Sequence, residues 1–431
     1  MRALPRRGGE RAILVGVLLP GEPSTHGDPL DELGLLAKTA GVKDAGRILQ
    51  RRRRPDASTY LGSGKAKEIA AVAQEKKAEV VIFDVDLSPG QIRNLEKILG
   101  VRVVDRTELI LDIFALHART HQAKLQVELA QAQYLLPRLR RMWTHLSREV
   151  GLGAQAGVGM RGPGEKQIEI DRRILRRKID ELRHELKLIA ERRKRLAESR
   201  APYFSVSLVG YTNAGKSTLL RQLTGADAYV ADQLFATLDT QTRAWTLPGR
   251  KQVFLSDTVG FIRHLPHHLV ASFYATLEEV RSADLILHVV DGSHPDARLQ
   301  IEAVEEVLGK IGAGATPRVL VVNKIDRARD RLDLLLAAAG HPESVQVSAL
   351  TGEGLDRLAK AVEGHILGQQ AEAEFRVPAG AGKLLAWLAE KGTVLLRTYE
   401  DGMVAVKVRM TEADLARASR MIDDLREHAP E

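Results

Sequence analysis

The chain has 431 residues, 44 % of them hydrophobic, and a net charge of +8 from 64 basic and 56 acidic residues, which allows two or three cored domains. It contains no cysteine, which excludes disulfides, cysteine-based zinc sites and thiol catalysis. No apolar run approaches the roughly 20 residues that span a bilayer, so we predict a cytoplasmic protein without membrane insertion, and peripheral membrane association stays open.

Residues 1–105 alternate predicted strands and helices, which indicates a small α/β domain with a largely parallel sheet. The basic cluster Arg51 to Arg54 favours RNA or another polyanion, and a solvated surface is the plain alternative. Leu61 to Lys65 lies at a predicted helix start without the full spacing of a phosphate loop. A simple glycine turn is at least as good an interpretation of that segment. The predicted strands are 12–19, 46–50, 80–83 and 101–104, and the predicted helices are 31–39, 65–76 and 89–99.

Residues 106–202 are predicted to form a long helical hairpin, with a helical first arm from Arg106 through about Leu136 and a glycine-rich connecting loop, 151–164. Apolar residues recur every seven positions along the second arm, 165–199, which is typical of a coiled-coil seam. We therefore expect this arm to pack antiparallel against residues 106–148. Residues 138–200 hold 18 basic and 9 acidic residues, so the hairpin is a candidate RNA contact; a plain interdomain linker is the alternative. The seam residues are Ile168, Leu175, Leu182, Ile189 and Leu196, with Ile179 and Leu186 in a second stripe.

The segment 210–217 reads GYTNAGKS and connects the apolar run 206–209 to a predicted helix. This is the context of a P-loop, whose backbone N–H groups and helix N-terminus cradle phosphates. Lys216 would reach the β- and γ-phosphates, and the Ser217 hydroxyl would hold magnesium (Mg²⁺). A plain glycine turn before a helix is the alternative. The loop positions assigned to nucleotide binding are Gly210, Tyr211, Thr212, Asn213, Ala214, Gly215, Lys216, Ser217 and Thr218.

Three further motifs follow in order, each after a predicted strand: DTVG at 257–260, NKID at 323–326 and VSA at 347–349. Asp257 would hold the Mg²⁺ shell, and the Gly260 N–H would meet the γ-phosphate. Asp326 would accept two N–H bonds from guanine, and the Ala349 N–H would meet the guanine oxygen. Because open α/β sheets bind ligands at the carboxyl ends of their strands, the series predicts a doubly wound G domain over 203–369 that binds GTP and GDP. The remaining positions assigned to the nucleotide are Phe235, Ala236, Thr237, Thr258, Val259, Asn323, Lys324, Ser348 and Leu350.

A GTPase also needs a threonine that closes over the γ-phosphate and Mg²⁺, in the segment called switch I. Thr237, after Phe235 and Ala236, is our choice, with Thr240 and Thr242 as rivals. The catalytic residues are therefore predicted to be Lys216, Thr237 and Gly260, and the metal ligands Ser217, Thr237 and Asp257.

The residue after Gly260 is Phe261, where Ras-like GTPases carry the glutamine that orients the attacking water. Phenylalanine cannot orient water by hydrogen bonding, so we expect slow intrinsic hydrolysis unless a partner or a cation supplies the missing group. Asn213 inside the P-loop makes potassium (K⁺) a candidate for that cation, and a purely structural role in the loop is the alternative.

Residues 370–431 are predicted to form a small C-terminal α+β domain, in which we find no chemistry. A hairpin over 393–397 and 403–409 turns around Glu400 to Gly402, and helices cover 383–390 and 412–427.

Over residues 10–370 the chain resembles the HflX family of GTPases. The resemblance is carried by Tyr60 to Lys65, Lys124 to Ala130, Gly162 to Glu165, Phe235 to Asp239 and Asp257 to Ile262, with Asp105 to Thr107 and Asp171 to Arg173. It implies binding to the large ribosomal subunit through rRNA and proteins, GTPase activity stimulated by the ribosome, and splitting of stalled ribosomes under stress. It also implies ATP use at the N-terminal domain of some members. Asp239 is followed by Thr240 here, where many relatives have proline.

We therefore predict a GTP hydrolase that binds the large ribosomal subunit and splits or rescues stalled ribosomes. The main alternative is a GTPase in ribosome assembly or tRNA modification. A nucleotide-independent RNA scaffold and an ATP-driven RNA remodeller are weaker rivals, because Lys216, Ser217, Asp257 and Asp326 are all present.

Overall fold

The structure is a computed structural model. It describes residues 9–21, 26–139, 163–198, 204–225, 234–235, 241–249, 251–263, 274–328, 343–368, 370–400 and 402–427. Most of the predicted glycine-rich loop and the switch I residues Ala236, Thr237 and Thr240 lie outside these ranges.

The N-terminal part forms a four-stranded parallel sheet with the order β2-β1-β3-β4, as the alternation of elements predicted. Strands β1 and β3 are apolar and buried along nearly their whole length, because helices cover both faces of the sheet. Helix α3 starts at a capping box formed by Ser88 and Gln91, and ends at Gly100 in the left-handed region. The elements are β1 (Arg11–Leu18), α1 (Asp31–Thr39), β2 (Lys43–Arg51), α2 (Ser63–Glu75), β3 (Val80–Phe83), α3 (Pro89–Leu99) and β4 (Arg102–Val104).

Helix α4 (Arg106–His117) packs against α1 and β3, so we count it with the N-terminal domain. The middle region contains α5 (His121–Leu135), a 3₁₀ turn (Leu136–Arg138) and α6 (Pro163–Glu198). Helices α5 and α6 run antiparallel, because His121 contacts Glu185 while Glu128 contacts Lys178. Their seam buries apolar residues from both helices, including three of the predicted seam positions and both residues of the predicted second stripe. These residues are Leu125, Leu129, Ala132, Leu136, Leu175, Ile179, Leu182, Leu186 and Ile189.

The apolar pattern predicted one helical arm from Arg106 to about Leu136, but the structure has two helices in this range. Ala118 has an extended backbone, with ψ of 105°. The Thr120 side chain then caps a new helix by accepting a hydrogen bond from the Ala123 N–H at 3.2 Å. The break divides the arm into α4, which packs within the N-terminal core, and α5, which packs on α6.

Residues 205–368 form a six-stranded sheet with the order β10-β9-β8-β5-β7-β6, in which β6 alone among the described strands runs antiparallel to its neighbour. The carboxyl ends of β5, β7, β8 and β9 therefore meet at one edge. The elements are β5 (Ser205–Gly210), α7 (Lys216–Thr224), β6 (Gln241–Thr246), β7 (Gln252–Asp257), α8 (Tyr274–Arg281), β8 (Leu285–Asp291), α9 (Ala297–Lys310), β9 (Arg318–Asn323), β10 (Ser344–Gln346) and α10 (Leu355–Gly368).

The C-terminal part is an α+β unit with a three-stranded antiparallel sheet in the order β11-β13-β12. Its hairpin and helices agree with the prediction, but strand β11 was not predicted. The elements are β11 (Gln370–Pro378), α11 (Gly382–Lys391), β12 (Thr393–Glu400), β13 (Met403–Thr411) and α12 (Glu412–Glu427). Among all the residues described, no helix is long and apolar enough to cross a membrane.

Candidate GTP site

The segment 210–217 forms a tight loop between β5 and α7. Gly215 is the N-cap of α7 with a φ of +94°, in the left-handed region that favours glycine. An ideal Cβ at this position would lie 2.3 Å from the Asn323 Nδ2. The loop therefore requires glycine for its backbone conformation and for its close approach to β9, and it presents the N-terminus of α7 to a ligand.

Lys216 lies inside this loop and is buried. Its ammonium donates hydrogen bonds to the carbonyl oxygens of Gly210, at 3.0 Å, and Tyr211, at 2.8 Å. Burial lowers the pKa of Lys216 to about 8, and the nearby Asp257 carboxylate opposes that shift. A buried ammonium whose hydrogen-bond partners are neutral carbonyls gains strongly from an anion beside it, which is what a nucleotide phosphate supplies.

Ser217 and Asp257 come together at the start of α7 and the end of β7. The Ser217 hydroxyl donates to the Asp257 Oδ2 at 2.6 Å. A hydroxyl and a buried carboxylate are hard oxygen ligands, so this pair fits Mg²⁺. Thr237 lies outside the described residues. Its rival Thr242 lies in β6, where its hydroxyl shares a hydrogen bond with the Ser256 hydroxyl at 2.9 Å.

The segment 257–263, which we call switch II, lies directly against the P-loop. The Thr212 N–H donates to the Phe261 carbonyl at 2.8 Å, and the Phe261 N–H donates to the Gly210 carbonyl at 3.1 Å. An ideal Cβ on Gly260 would lie 2.8 Å from the Thr212 Cα and 3.0 Å from the Lys216 Nζ. Only glycine therefore fits at position 260 in this arrangement.

Most side chains of switch II are turned into the protein. Phe261 is 2 % exposed and belongs to the apolar core. Thr258 was assigned to the nucleotide, but its buried hydroxyl donates to the Leu208 carbonyl at 2.6 Å, so its side chain stabilises the β5–β7 pair. Val259 is also largely buried.

Asn323 and Lys324, which belong to the predicted guanine-binding motif, donate hydrogen bonds to carbonyl oxygens of the P-loop. Asn323 donates from Nδ2 to the Ala214 carbonyl at 2.9 Å, and its Oδ1 accepts from the Ala349 N–H at 2.9 Å. The Ala349 N–H, which we had assigned to the guanine oxygen, is thus engaged with Asn323. Lys324 donates to the Asn213 carbonyl at 2.8 Å and to the Asp291 carboxylate at 2.7 Å.

Asp326 stands at the outer end of this group. Its Oδ1 accepts a hydrogen bond from the Ser348 hydroxyl at 2.6 Å, which orients the carboxylate. Leu350, two residues after Ser348, is 66 % exposed, and an exposed apolar side chain at that point offers a surface for a planar base.

Sequence reasoning missed a second set of residues that touch the site, from the N-terminal domain. The Tyr211 hydroxyl donates to Glu32, which is 179 residues away in the chain. Arg106 donates to the Arg263 carbonyl at 2.9 Å, and the rings of Phe114 and Phe235 meet edge to face at 4.7 Å. The sequence offers no signal for such pairs, because the partners are far apart in the chain and their pairing depends on how the two domains pack.

Four family models match the chain in order. They are described as the GTP-binding GTPase N-terminal region, residues 27–115; the GTP-binding GTPase middle region, 117–200; a 50S ribosome-binding GTPase, 205–324; and the HflX C-terminal domain, 333–431. The GTPase HflX of Escherichia coli strain K12 is 44 % identical over 415 residues, which cover 95 % of each chain. The chain belongs to the HflX family of GTPases. The GTPase HflX of Caldanaerobacter subterraneus subsp. tengcongensis is 43 % identical over 409 residues, 94 % of this chain and 92 % of that one.

The family relationship extends further than the sequence motifs indicated, because the HflX C-terminal model reaches residue 431. That model begins at residue 333, whereas β10, at 344–346, pairs with β9 in the sheet of the G domain. A crystal structure of a GTP-binding protein from Sulfolobus solfataricus in complex with GDP aligns with 83 % of this chain and 98 % of that one. Its sequence identity is 24 % and its TM-score 0.42.

Proposed function

We propose that this HflX-family protein binds the large ribosomal subunit, hydrolyses GTP to GDP and phosphate, and splits or rescues stalled ribosomes under stress. The observation that carries the GTPase part is the buried Lys216 at the centre of a P-loop whose neighbours include Ser217, Asp257 and Gly260. Support for the ribosomal part comes from the match of residues 205–324 to a 50S ribosome-binding GTPase model.

In this proposal the phosphates of GTP lie against the P-loop N–H groups and the ammonium of Lys216. Ser217, Asp257 and Thr237 would hold Mg²⁺, which neutralises charge on the phosphates when bound. The Gly260 N–H donates to the γ-phosphate, and Thr237 closes over it. Lys216 and Gly260 would thus stabilise the charge on the oxygens of the γ-phosphoryl group while it is transferred to water.

The group that orients the attacking water has to come from outside switch II, since Phe261 is packed in the core. A ribosomal element is the first candidate for that group. A K⁺ ion near Asn213 is the second, and the left-handed backbone of Asn213, with φ of 61°, keeps this residue at the bend of the P-loop.

Two basic surfaces support contact with rRNA. The segment Arg51 to Arg54 begins at the last residue of β2, at the edge of the N-terminal sheet, and Arg51, Arg53 and Arg54 are exposed. Helix α6 carries basic residues along its length, including Arg172, Arg173, Arg176 and Arg177. Cations clustered in this way bind polyanions by release of counterions.

ATP use by the N-terminal domain stays a prediction. A cavity of about 670 Å³ at the carboxyl ends of β1, β2 and β3, lined by Arg51, Arg52 and Arg53 among others, is the place to look for such a nucleotide.

The test is GTP turnover by the full chain with and without large ribosomal subunits, in K⁺ and in Na⁺ buffer. We expect slow turnover alone and a large increase on addition of subunits. Lys216→Ala should abolish turnover, while Lys310→Ala, which removes an exposed ion pair with Glu306 on α9, should leave it unchanged. Full turnover by Lys216→Ala would show that the site is wrongly assigned.

The alternative, a role in ribosome assembly or tRNA modification, makes a different prediction for binding. Co-sedimentation of the GTP-loaded protein with mature subunits supports ribosome rescue. Preferential co-sedimentation with assembly intermediates, or binding to tRNA instead, supports the alternative.

A further inference from the structure

The Thr212 side chain lies buried in the P-loop with an unused hydrogen-bonding group. Thr212 is 6 % exposed, and its Oγ1 has no hydrogen-bond partner among the residues that the structure describes. A buried hydroxyl without a partner is unfavourable, because it has given up its hydrogen bonds to water and gained none in return. Such a group gains strongly from a ligand that supplies the missing partner.

The backbone N–H of Thr212 is already engaged. It donates to the Phe261 carbonyl of switch II at 2.8 Å. Because the other N–H groups of a P-loop are its usual donors to phosphate, position 212 would contribute nothing to a nucleotide through its main chain in this arrangement. The hydroxyl is the donor that Thr212 retains for a ligand.

The Thr212 side chain also lies beside the proposed position of the γ-phosphate. An ideal Cβ on Gly260 would lie 2.8 Å from the Thr212 Cγ2 and 3.0 Å from the Lys216 Nζ, so both side chains approach one point next to Gly260. An oxygen that accepts a hydrogen bond from an ammonium lies about 2.7–2.9 Å from the nitrogen. A phosphate oxygen that Lys216 binds on this side therefore comes close to Thr212.

Three donors of different kinds then surround a single group. They are the Lys216 ammonium, the Gly260 N–H and the Thr212 hydroxyl. A terminal phosphate offers three strongly accepting oxygens, so it can accept a hydrogen bond from each of the three. GDP ends before this group and leaves the Thr212 hydroxyl as it is in the free protein.

We propose that the Thr212 hydroxyl donates a hydrogen bond to the γ-phosphate of GTP and thereby strengthens the binding of GTP relative to GDP. The proposal rests on the proposed function, because it places guanine nucleotides in this site. It gives the side chain of Thr212 a role that the loop's backbone cannot perform, namely recognition of the third phosphate. GTP restores the hydrogen bond that burial removed, whereas GDP does not.

The experiment measures the dissociation constants of fluorescent GDP and of a fluorescent non-hydrolysable GTP analogue on the full-length protein. Thr212→Val removes the hydroxyl and keeps the branched shape of the side chain. We expect the ratio of the analogue's constant to that of GDP to rise about tenfold or more, because a hydrogen bond to a charged group contributes a factor of this size. Thr212→Ala also lacks the hydroxyl and should show the same rise, so the test does not depend on one variant.

Two further measurements separate this role from a structural one. Thr212→Ser keeps the hydroxyl and removes the methyl group, so its ratio should stay within about threefold of the wild-type value. Because the hydroxyl has no partner among the described residues, Thr212→Val should not lower the free energy of unfolding of the nucleotide-free protein. A hydroxyl that served only to stabilise the loop would give the opposite result.

Ser207→Ala is the matched control. Ser207 lies in β5, the strand that precedes the P-loop. It is 1 % exposed, and its hydroxyl likewise has no hydrogen-bond partner within the described ranges. Its loss should leave the ratio of the two constants at the wild-type value, because β5 lies outside the space next to Gly260.

The proposal is overturned if the ratio in Thr212→Val and Thr212→Ala stays within about twofold of wild type, or if both nucleotides weaken equally. A rise of the same size in Thr212→Ser would assign the effect to the methyl group, and one in Ser207→Ala would assign it to the loss of any buried hydroxyl; either result also overturns the proposal. If the wild-type protein binds neither nucleotide, the proposed function itself fails.

Discussion

Substituting Gly215 by alanine tests the geometry of the P-loop at the point where it is tightest. Gly215 has a φ of +94°, and an L-residue in this region costs about 1–2 kcal/mol in backbone strain. The new Cβ would also lie 2.3 Å from the Asn323 Nδ2, far inside contact distance. The Asn323 amide would have to move, and its hydrogen bonds to Ala214 and Ala349 would be lost.

Each of those hydrogen bonds contributes about 1 kcal/mol, so the total cost of Gly215→Ala is about 3–4 kcal/mol. The strain falls on the P-loop, which we propose to bind the phosphates, and on the segment around Asn323, which we propose to bind the base. We therefore expect most of it to appear as a weakening of GDP binding of about 100-fold, which corresponds to about 2.7 kcal/mol.

The assay is a fluorescence titration with labelled GDP, combined with chemical unfolding of the same variant. Gly225→Ala is the matched control, because Gly225 ends the same helix, α7, with a φ of +66° and has no neighbour within 4 Å of an ideal Cβ. It should lower the free energy of unfolding by about 1 kcal/mol and change the dissociation constant less than twofold. A Gly215→Ala protein that binds GDP within threefold of wild type would refute the reasoning.

Three further predictions concern the base, the phosphates and the missing glutamine. Asp326→Asn should reduce the affinity for guanine nucleotides and favour xanthine nucleotides, which a competition between GTP and XTP measures. Ser348→Ala should weaken nucleotide binding about fivefold, by about 1 kcal/mol, without changing the base preference. Nucleotide affinity should fall as pH rises above about 8, because phosphate binds the protonated Lys216; calorimetry in two buffers should detect proton uptake. Phe261→Gln should lower the free energy of unfolding by a few kcal/mol without accelerating GTP turnover; faster turnover would contradict the burial argument.

The sequence is sufficient to predict those parts of the candidate site that consist of consecutive residues. A P-loop occupies eight consecutive residues, and its glycines, Lys216 and Ser217 are recognisable because the loop's geometry permits few alternatives. The seam of α6 was likewise visible, since Leu175, Leu182 and Ile189 repeat every seven residues.

What the sequence did not predict depends on contacts between distant segments or on local competition. Nothing in residues 31–39 indicates that Glu32 meets the P-loop, because the pairing is set by how α1 packs on the G domain. The motif position of Thr258 did not indicate that its side chain faces β5, and its assignment to the nucleotide stays a prediction. The break between α4 and α5 was missed because Thr120 caps α5 without any glycine or proline to mark it.

Phe261 connects the chemistry of the site with the architecture of the molecule. A glutamine that positions water has to remain near solvent, whereas Phe261 is buried in the cluster that includes Phe114 and Phe235. The chain thus uses this position to attach switch II to the N-terminal domain and gives up the side chain that would orient water. The slow hydrolysis that we predict and the contact between switch II and the N-terminal domain would then both follow from phenylalanine at position 261, and a partner that supplies the catalytic group would act on a segment that the N-terminal domain already contacts.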